Sequence, residues 1–296
     1  MKILNFGSLN LDYVYQVDHL VKPGETLNAL SQAVHPGGKG LNQSVALAKA
    51  GAEVFHAGCL GAGGDMLKAL LNECSVNTDF LLPVSALQGN AVIQVDRNGE
   101  NCILLFGGSN RCVTAQQVTE TLSHFSAGDW LILQNEINLL PFIIKTAHEK
   151  GLRIVLNPSP YDDRLKDVDL RCISWLLVNE VEAAQLSGSS DPEEAWRLLH
   201  AQYPALSLLI TLGKDGSIAF TEGAVIRQEA YPADAVDTTG AGDTYTGYFV
   251  ASLAEGRSLQ ECMQRASLAA SISVTRPGAA GSIPEKNEVD RFSQKL

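Results

Sequence analysis

The chain has no apolar run long enough to span a bilayer, no C-x-x-C pair, no G-x-x-x-x-G-K-[ST] loop and no excess of basic charge. Each absence removes a class of function. A transmembrane helix needs about 20 consecutive apolar residues, and no such run is present. The cysteines Cys59, Cys74, Cys102, Cys112, Cys172 and Cys262 lack the spacing of a zinc or dithiol centre, so they read as free thiols, most of them in apolar stretches. Without a Walker loop, nucleotide phosphates are not held in the P-loop manner. With 22 basic against 33 acidic residues, a net charge of −11, neither nucleic acid nor an anionic membrane is an expected partner. A phosphate site must then be built locally, from backbone dipoles and a few placed cations. No internal repeat, low-complexity run or linker interrupts the 296 residues, which predicts one domain over residues 1–296. Residues 1–10 have no signal-peptide layout, so a reducing cytoplasm is the expected compartment.

What is present is glycine placed before apolar helices. Asp237-Thr238-Thr239-Gly240-Ala241-Gly242-Asp243 leads into an apolar stretch expected to be helical over residues 244–254. A glycine loop opening into a helix start is an anion site, because the first N–H groups lack partners and the dipole favours negative charge there. An acid beside such a hole suits a base that takes a proton from an alcohol while the hole steadies a phosphoryl group. Alone, the stretch reads equally as a turn with Asp243 as an ordinary helix cap. A second such start is Gly37-Gly38-Lys39-Gly40-Leu41-Asn42-Gln43, where Lys39 and Asn42 share a helix face. A third, Gly61 to Asp65, is a strand-to-helix turn and not a dinucleotide fingerprint, since Met66 fills the final glycine position.

The rest of the pattern is β–α. Strands are expected at 3–6, 54–60, 130–134, 153–157, 175–178 and 208–212, with helices at 114–125, 139–150, after Pro192, and at 259–274. Residues 217–220 and 224–228 form a hairpin. This series predicts a doubly wound, mainly parallel α/β sheet with helices on both faces. Residues 91–106 read as another hairpin, around Asn98-Gly99. A three-residue loop places Ala91, Ile93, Val95, Ile103 and Leu105 on one face, the cleaner register. Together with residues 13–35, it predicts a small β lid formed by about 13–35 and 90–107. Polar groups fall at strand exits: Asn10 and Asp12 in a loop, Glu136, Asn179 and Glu182, Thr211 to Gly216, and Asp237 to Asp243. In a doubly wound sheet such exits converge.

With those residues in view, the chain resembles the ribokinase-like (PfkB) family of carbohydrate and nucleoside kinases, nearly end to end. The glycine stretches at 37–43 and 237–243, Asn179-x-x-Glu182, and Thr275-Arg276-Pro277-Gly278-Ala279 carry the resemblance. It implies an ATP-dependent phosphotransferase acting on a primary hydroxyl of a small sugar, D-ribose at O5 first, with fructose, deoxyribose or a nucleoside as alternative acceptors. A non-catalytic sugar sensor is the alternative of another class. By position, Asn10, Asp12, Gly38, Lys39, Asn42 and Glu136 would hold the sugar, under an apolar ceiling of Ala91, Ile93 and Leu105. Asp243 would be the base, with the N–H groups of Ala241, Gly242 and Asp243, after Gly240, as the anion hole. Asn179, Thr211, Gly213, Lys214, Asp215, Gly216, Gly242 and Ser267 would line the ATP site. Asn179 and Glu182 would serve Mg²⁺ through water, and Asp237, Thr239, Ser273, Arg276, Gly278 and Ser282 a K⁺ ion. Leu41, where this family's ribokinases usually carry alanine, would reshape the sugar pocket. A homodimer through the lids is a further expectation, with Gly24, Gly107 and Gly108 as flexing points.

Overall fold

The computed structural model describes residues 1–294. In chain order its elements are β1 (Ile3–Phe6), β2 (Asn10–Gln16), β3 (Ser31–Gly37), α1 (Lys39–Lys49), β4 (Val54–Ala62), α2 (Asp65–Glu73), β5 (Asn77–Leu87), β6 (Asn90–Val95), β7 (Asn101–Phe106), α3 (Ala115–Ser123), β8 (Trp130–Gln134), α4 (Leu140–Glu149), β9 (Arg153–Asn157), β10 (Trp175–Asn179), α5 (Glu180–Ser187), α6 (Pro192–Gln202), β11 (Ser207–Thr211), β12 (Ser217–Thr221), β13 (Ala224–Gln228), α7 (Ala241–Ala254), α8 (Leu259–Ser273) and α9 (Lys286–Ser293).

Nine strands form one sheet in the order β13-β12-β11-β10-β9-β8-β1-β4-β5. Pairing is parallel from β11 to β5, and β12 and β13 add an antiparallel edge. The central strands are continuous apolar runs because both faces are covered. Along β8, Trp130 and Ile132 enter the core layer shared with α1, α7 and α8, while Leu131 and Leu133 enter the layer shared with α3 and α4. The chain leaves β1 toward β4 on one side and returns through β8 on the other. That reversal opens a crevice beyond the ends of β1 and β8, where open α/β sheets bind ligands.

The second sheet has four strands, β3-β2-β6-β7. Its hairpin has the three-residue loop, pairing Ala91 with Leu105, Ile93 with Ile103 and Val95 with Asn101. Asp12 is opposite Ala91, and Val14 opposite Ile93. Asp12, Ala91 and Leu105 therefore stand side by side on one face of the small sheet.

Several expectations need correction. Asn10 and Asp12 lie in strand β2, not in a loop, because the chain enters the small sheet as soon as it leaves β1. Helices α1 and α7 begin earlier than their apolar runs, at Lys39 and Ala241, so the glycine motifs form first turns and not lead-in loops. β5 was not expected: its Pro83 argues against a central strand, and it sits at the sheet edge, where proline is tolerated. The C-terminal α9, mostly polar, was also not expected.

Candidate active site

Asp243 lies at the junction of the crevice and helix α7. The helix cap is Gly240, in the left-handed conformation with φ 75°, and Asp243 is the third residue of the helix. The capping reading of Asp243 is thereby removed. Its carboxylate is buried and faces helix α1: Asn42 Nδ2 donates to Oδ2 at 3.0 Å, and Gln43 Nε2 donates to Oδ1 at 2.9 Å. Charge-assisted bonds of this kind contribute about 1.5–3 kcal/mol each. The two helices approach closely because position 247 is glycine. A Cβ there would stand 2.3 Å from the Ala46 side chain. At the start of α7, the N–H groups of Gly242 and Asp243 have no acceptor among the described residues, whereas that of Ala241 bonds the Thr238 carbonyl at 3.2 Å. The expected trio of anion-hole donors is a pair of open donors in this structure.

On the side of the small sheet, Ser8 ties the parts together, a role its place in the sequence did not signal. Glu136 Oε2 accepts from the Ser8 hydroxyl and from the Lys39 N–H at 3.0 Å, while Ser8 Oγ accepts from the Gly40 N–H at 3.1 Å. Only glycine fits at 40, since a Cβ would meet Ser8 N at 2.3 Å. One oxygen of Glu136 is thus committed and the other is free for a hydroxyl. Asn10 Oδ1 accepts from Asn110 Nδ2 at 2.7 Å, and Asn110 is another buried residue without a local sequence signal. Asn42 Oδ1 is buried with no partner among the described residues, an acceptor suited to an incoming O–H. Burial first, then the charges of Glu136 and Asp243, push Asp12 up to about 7. Burial pulls Lys39 down, but the carboxylates of Asp243, Glu136 and Glu182 outweigh it, and its pKa is raised. A cavity of about 230 Å³ includes Asn10, Leu105, Asn110 and Glu136. Leu41 is fully buried in the core layer and is not part of the lining of this cavity.

On the opposite side lies a cavity of about 530 Å³, lined in part by Thr211, Gly213, Lys214, Gly216, Gly242 and Ser267. A second space of about 270 Å³ shares Thr211, Gly213 and Gly242 with it, and reaches Asn179, Glu182, Lys39 and Asp243. Asp215 lines neither space. Asn179 and Glu182 form a capping box at the start of α5: Asn179 Oδ1 accepts from the Glu182 N–H at 2.8 Å and Glu182 Oε2 from the Asn179 N–H at 3.1 Å. Their spacing has this local reason whatever else they do.

Behind the start of α7 two loops are fastened together. Asp237 accepts from the Thr239 N–H and hydroxyl and, at 2.8 Å, from the Gly278 N–H. Burial raises the Asp237 pKa, but these donors outweigh it and hold the group below its usual value. Ser273 and Arg276 join the same region, the Arg276 N–H bonding the Ser273 carbonyl at 3.1 Å, and Ser282 bonds the carbonyl of Ala279. Among the described residues, no donor reaches the carbonyls of Asp237, Thr239, Arg276 or Gly278.

At the start of α7 the buried Asp243 and two open N–H groups border a space that adjoins the 530 Å³ cavity, an arrangement suited to phosphoryl transfer between small molecules. The chain belongs to the pfkB family of carbohydrate kinases, which it matches over residues 1–286. It is 35% identical to the ribokinase of Bacillus subtilis, over 97% of each chain. The crystal structure of Cryptococcus neoformans ribokinase in complex with ADP superposes with a TM-score of 0.85, at 33% identity over 98% of this chain and 99% of that one. The Arabidopsis thaliana ribokinase complexed with ribose and ATP gives 0.88, at 29% identity over 98% and 97%. The chain is accordingly a carbohydrate kinase.

Proposed function

We propose that the protein transfers the γ-phosphoryl group of ATP to the O5 hydroxyl of D-ribose, giving ribose 5-phosphate and ADP. The observation that carries the reading is the Asp243 carboxylate, held by two amides and lining the 270 Å³ space that adjoins the larger cavity. Asp243 takes the hydroxyl proton, and the open N–H groups of Gly242 and Asp243 face the phosphoryl charge. Asn10, Asp12, Asn42 and Glu136 grip the remaining hydroxyls, and Lys39 bridges toward the phosphates. ATP lies in the 530 Å³ cavity, its base near Ser267. The small sheet, as part of the same single domain, acts as a lid whose Ala91, Ile93 and Leu105 exclude water.

Two ions fit this reading. Glu182 keeps one carboxylate oxygen outside its capping box, which suits a Mg²⁺ ion that retains waters; when bound, it neutralises phosphate charge. The unengaged carbonyls of the 237–239 and 276–278 loops suit K⁺. Ile103, Leu104, Leu105 and Phe106 are exposed on the edge strand β7, and a homodimer through the small sheets would cover them. Six free thiols accord with a cytoplasmic setting; among the described residues no helix is long and apolar enough to cross a membrane.

The test is ADP release measured over pentoses, hexoses and nucleosides. Ribose is expected to give the highest kcat/KM. A better hexose or nucleoside would replace the acceptor, and silence with every acceptor would leave a sugar sensor.

A further inference from the structure

Beneath Asp243 the Gln43 amide continues into a buried chain of polar side chains whose further members the phosphotransfer reading does not use. Gln43 Nε2 donates to Asp243 Oδ1 at 2.9 Å and to Asn157 Oδ1 at 3.1 Å. Gln43 Oε1 accepts from Gln134 Nε2 at 2.7 Å. Gln134 Nε2 also donates to Asn5 Oδ1 at 3.0 Å. Asn5 Nδ2 donates to the Gly40 carbonyl at 2.8 Å and to Ser44 Oγ at 2.9 Å. Ser44 Oγ lies 2.7 Å from His56 Nδ1, and burial pushes His56 down to about 3, so its ring is neutral. Asn5, Gln43, Ser44, His56 and Gln134 are all buried, on α1 and three neighbouring strands.

The sense of this chain is fixed at two main-chain groups. A carbonyl only accepts, so Gly40 O forces Asn5 to turn its NH₂ inward and its oxygen toward Gln134. Gln134 must then donate to Asn5 and, with its second N–H, to Gln43. At the other end Asn157 Nδ2 donates to the Leu177 carbonyl at 2.9 Å, which turns Asn157 Oδ1 toward Gln43. Gln43 is left with one orientation: its oxygen on Gln134, its two N–H groups on Asn157 and Asp243. A flipped Gln43 would set its oxygen against two acceptors, one of them a carboxylate. Among the described residues Gln134 Oε1 has no partner, so this glutamine sits in the core at the cost of an unmet acceptor.

We propose that Gln43 and Gln134 are positioning residues for Asp243, with Gln134 acting through Gln43 by holding its amide donor toward the carboxylate. The proposal rests on Asp243 as the base. It assigns these side chains to the aim of the carboxylate and not to sugar or ATP binding.

A double-mutant cycle tests it, using Gln43→Met and Gln134→Met, which keep volume and add no charge. Gln43→Met is expected to lower kcat about 10- to 100-fold, the loss of one charge-assisted bond. Gln134→Met lowers kcat several-fold in the native background and adds nothing in the Gln43→Met background. KM for ATP stays within about twofold throughout, a split that general loosening of the fold would not give. Equal losses from Gln134→Met in both backgrounds, or losses confined to KM, overturn the proposal. If thermal unfolding shows that Gln134→Met does not fold, Gln134→Glu replaces it: two acceptors at this position favour the flipped Gln43, and the same background dependence is required. Asp243→Asn is assayed alongside. Turnover that survives it removes the base itself, whereas its loss together with normal turnover in Gln43→Met removes only the positioning pair.

Discussion

Asn42 and Asp243 lie 201 residues apart in the chain, and the amide of the first holds the carboxylate of the second at 3.0 Å. The two glycine stretches thus meet through side chains, with each helix supplying what the other's first turn needs. Asp243→Asn keeps the size of the side chain and removes the proposed base. We expect kcat to fall by about 10²- to 10⁴-fold, the usual worth of a positioned base, with ATP affinity little changed. Single-turnover kinetics and ATP titration measure the two separately. Normal turnover would falsify the assignment.

Asp12 gives a pH dependence with a definite sign. Its folded pKa, about 7, lies above the ordinary carboxyl value of 3.8, mainly through burial. The folded state therefore binds the proton more tightly, and the stability linked to it is present below the unfolded pKa and is lost as pH rises through about 7. Asp12→Asn removes the ionisable group. We expect this variant to melt at a higher temperature than the parent at pH 8, with a narrower gap at pH 5, and to lose sugar affinity. A variant no more stable than the parent at pH 8 would show that Asp12 ionises without strain.

Much of this was legible in the sequence. The order of strands and helices followed from apolar runs punctuated by glycine and proline, and the hairpin register from keeping one face apolar. The glycine stretches marked the residues around Asp243. What escaped were residues whose roles are set by partners far along the chain. Ser8 meets Glu136, Asn110 meets Asn10, and Gln134 meets Gln43, and no local pattern encodes such meetings. The first residues of β2, up to Asp12, read as a loop because the polar Asn10 and Asp12 break the apolar signal, although the strand beyond them belongs to the expected lid. Asn179 and Glu182 illustrate the reverse case, where one spacing satisfies a helix cap as well as a motif.

Gly247 controls the spacing of α1 and α7. An added Cβ would stand 2.3 Å from the Ala46 side chain and 2.9 Å from its carbonyl carbon, contacts that force the helices apart. Overpacking of this kind costs about 1–3 kcal/mol. Gly247→Ala is expected to lower Tm and to lower kcat beyond the effect on folded fraction, since the shift separates Asn42 and Gln43 from Asp243. Circular dichroism melts and kcat on the folded protein check both. Unchanged values would mean that the helices slide without moving the carboxylate.

The loops at 237–239 and 276–278 place the cation proposal where it can be measured. The Asp237 carboxylate is occupied by Thr239 and by the Gly278 N–H, so it braces the loops while their carbonyls stay open. A monovalent ion on those carbonyls would stiffen the segment that leads into the Gly242 and Asp243 N–H groups. Rates in K⁺ buffer are then expected to exceed rates in Na⁺ buffer at equal ionic strength, because the larger ion suits a site of neutral carbonyls. Asp237→Ala unfastens the two loops and is expected to reduce the K⁺ response as well as the rate. Equal rates in the two buffers would remove the ion. A K⁺ response intact in Asp237→Ala would place the ion elsewhere, because the loop geometry that presents those carbonyls depends on the Asp237 bond to Gly278.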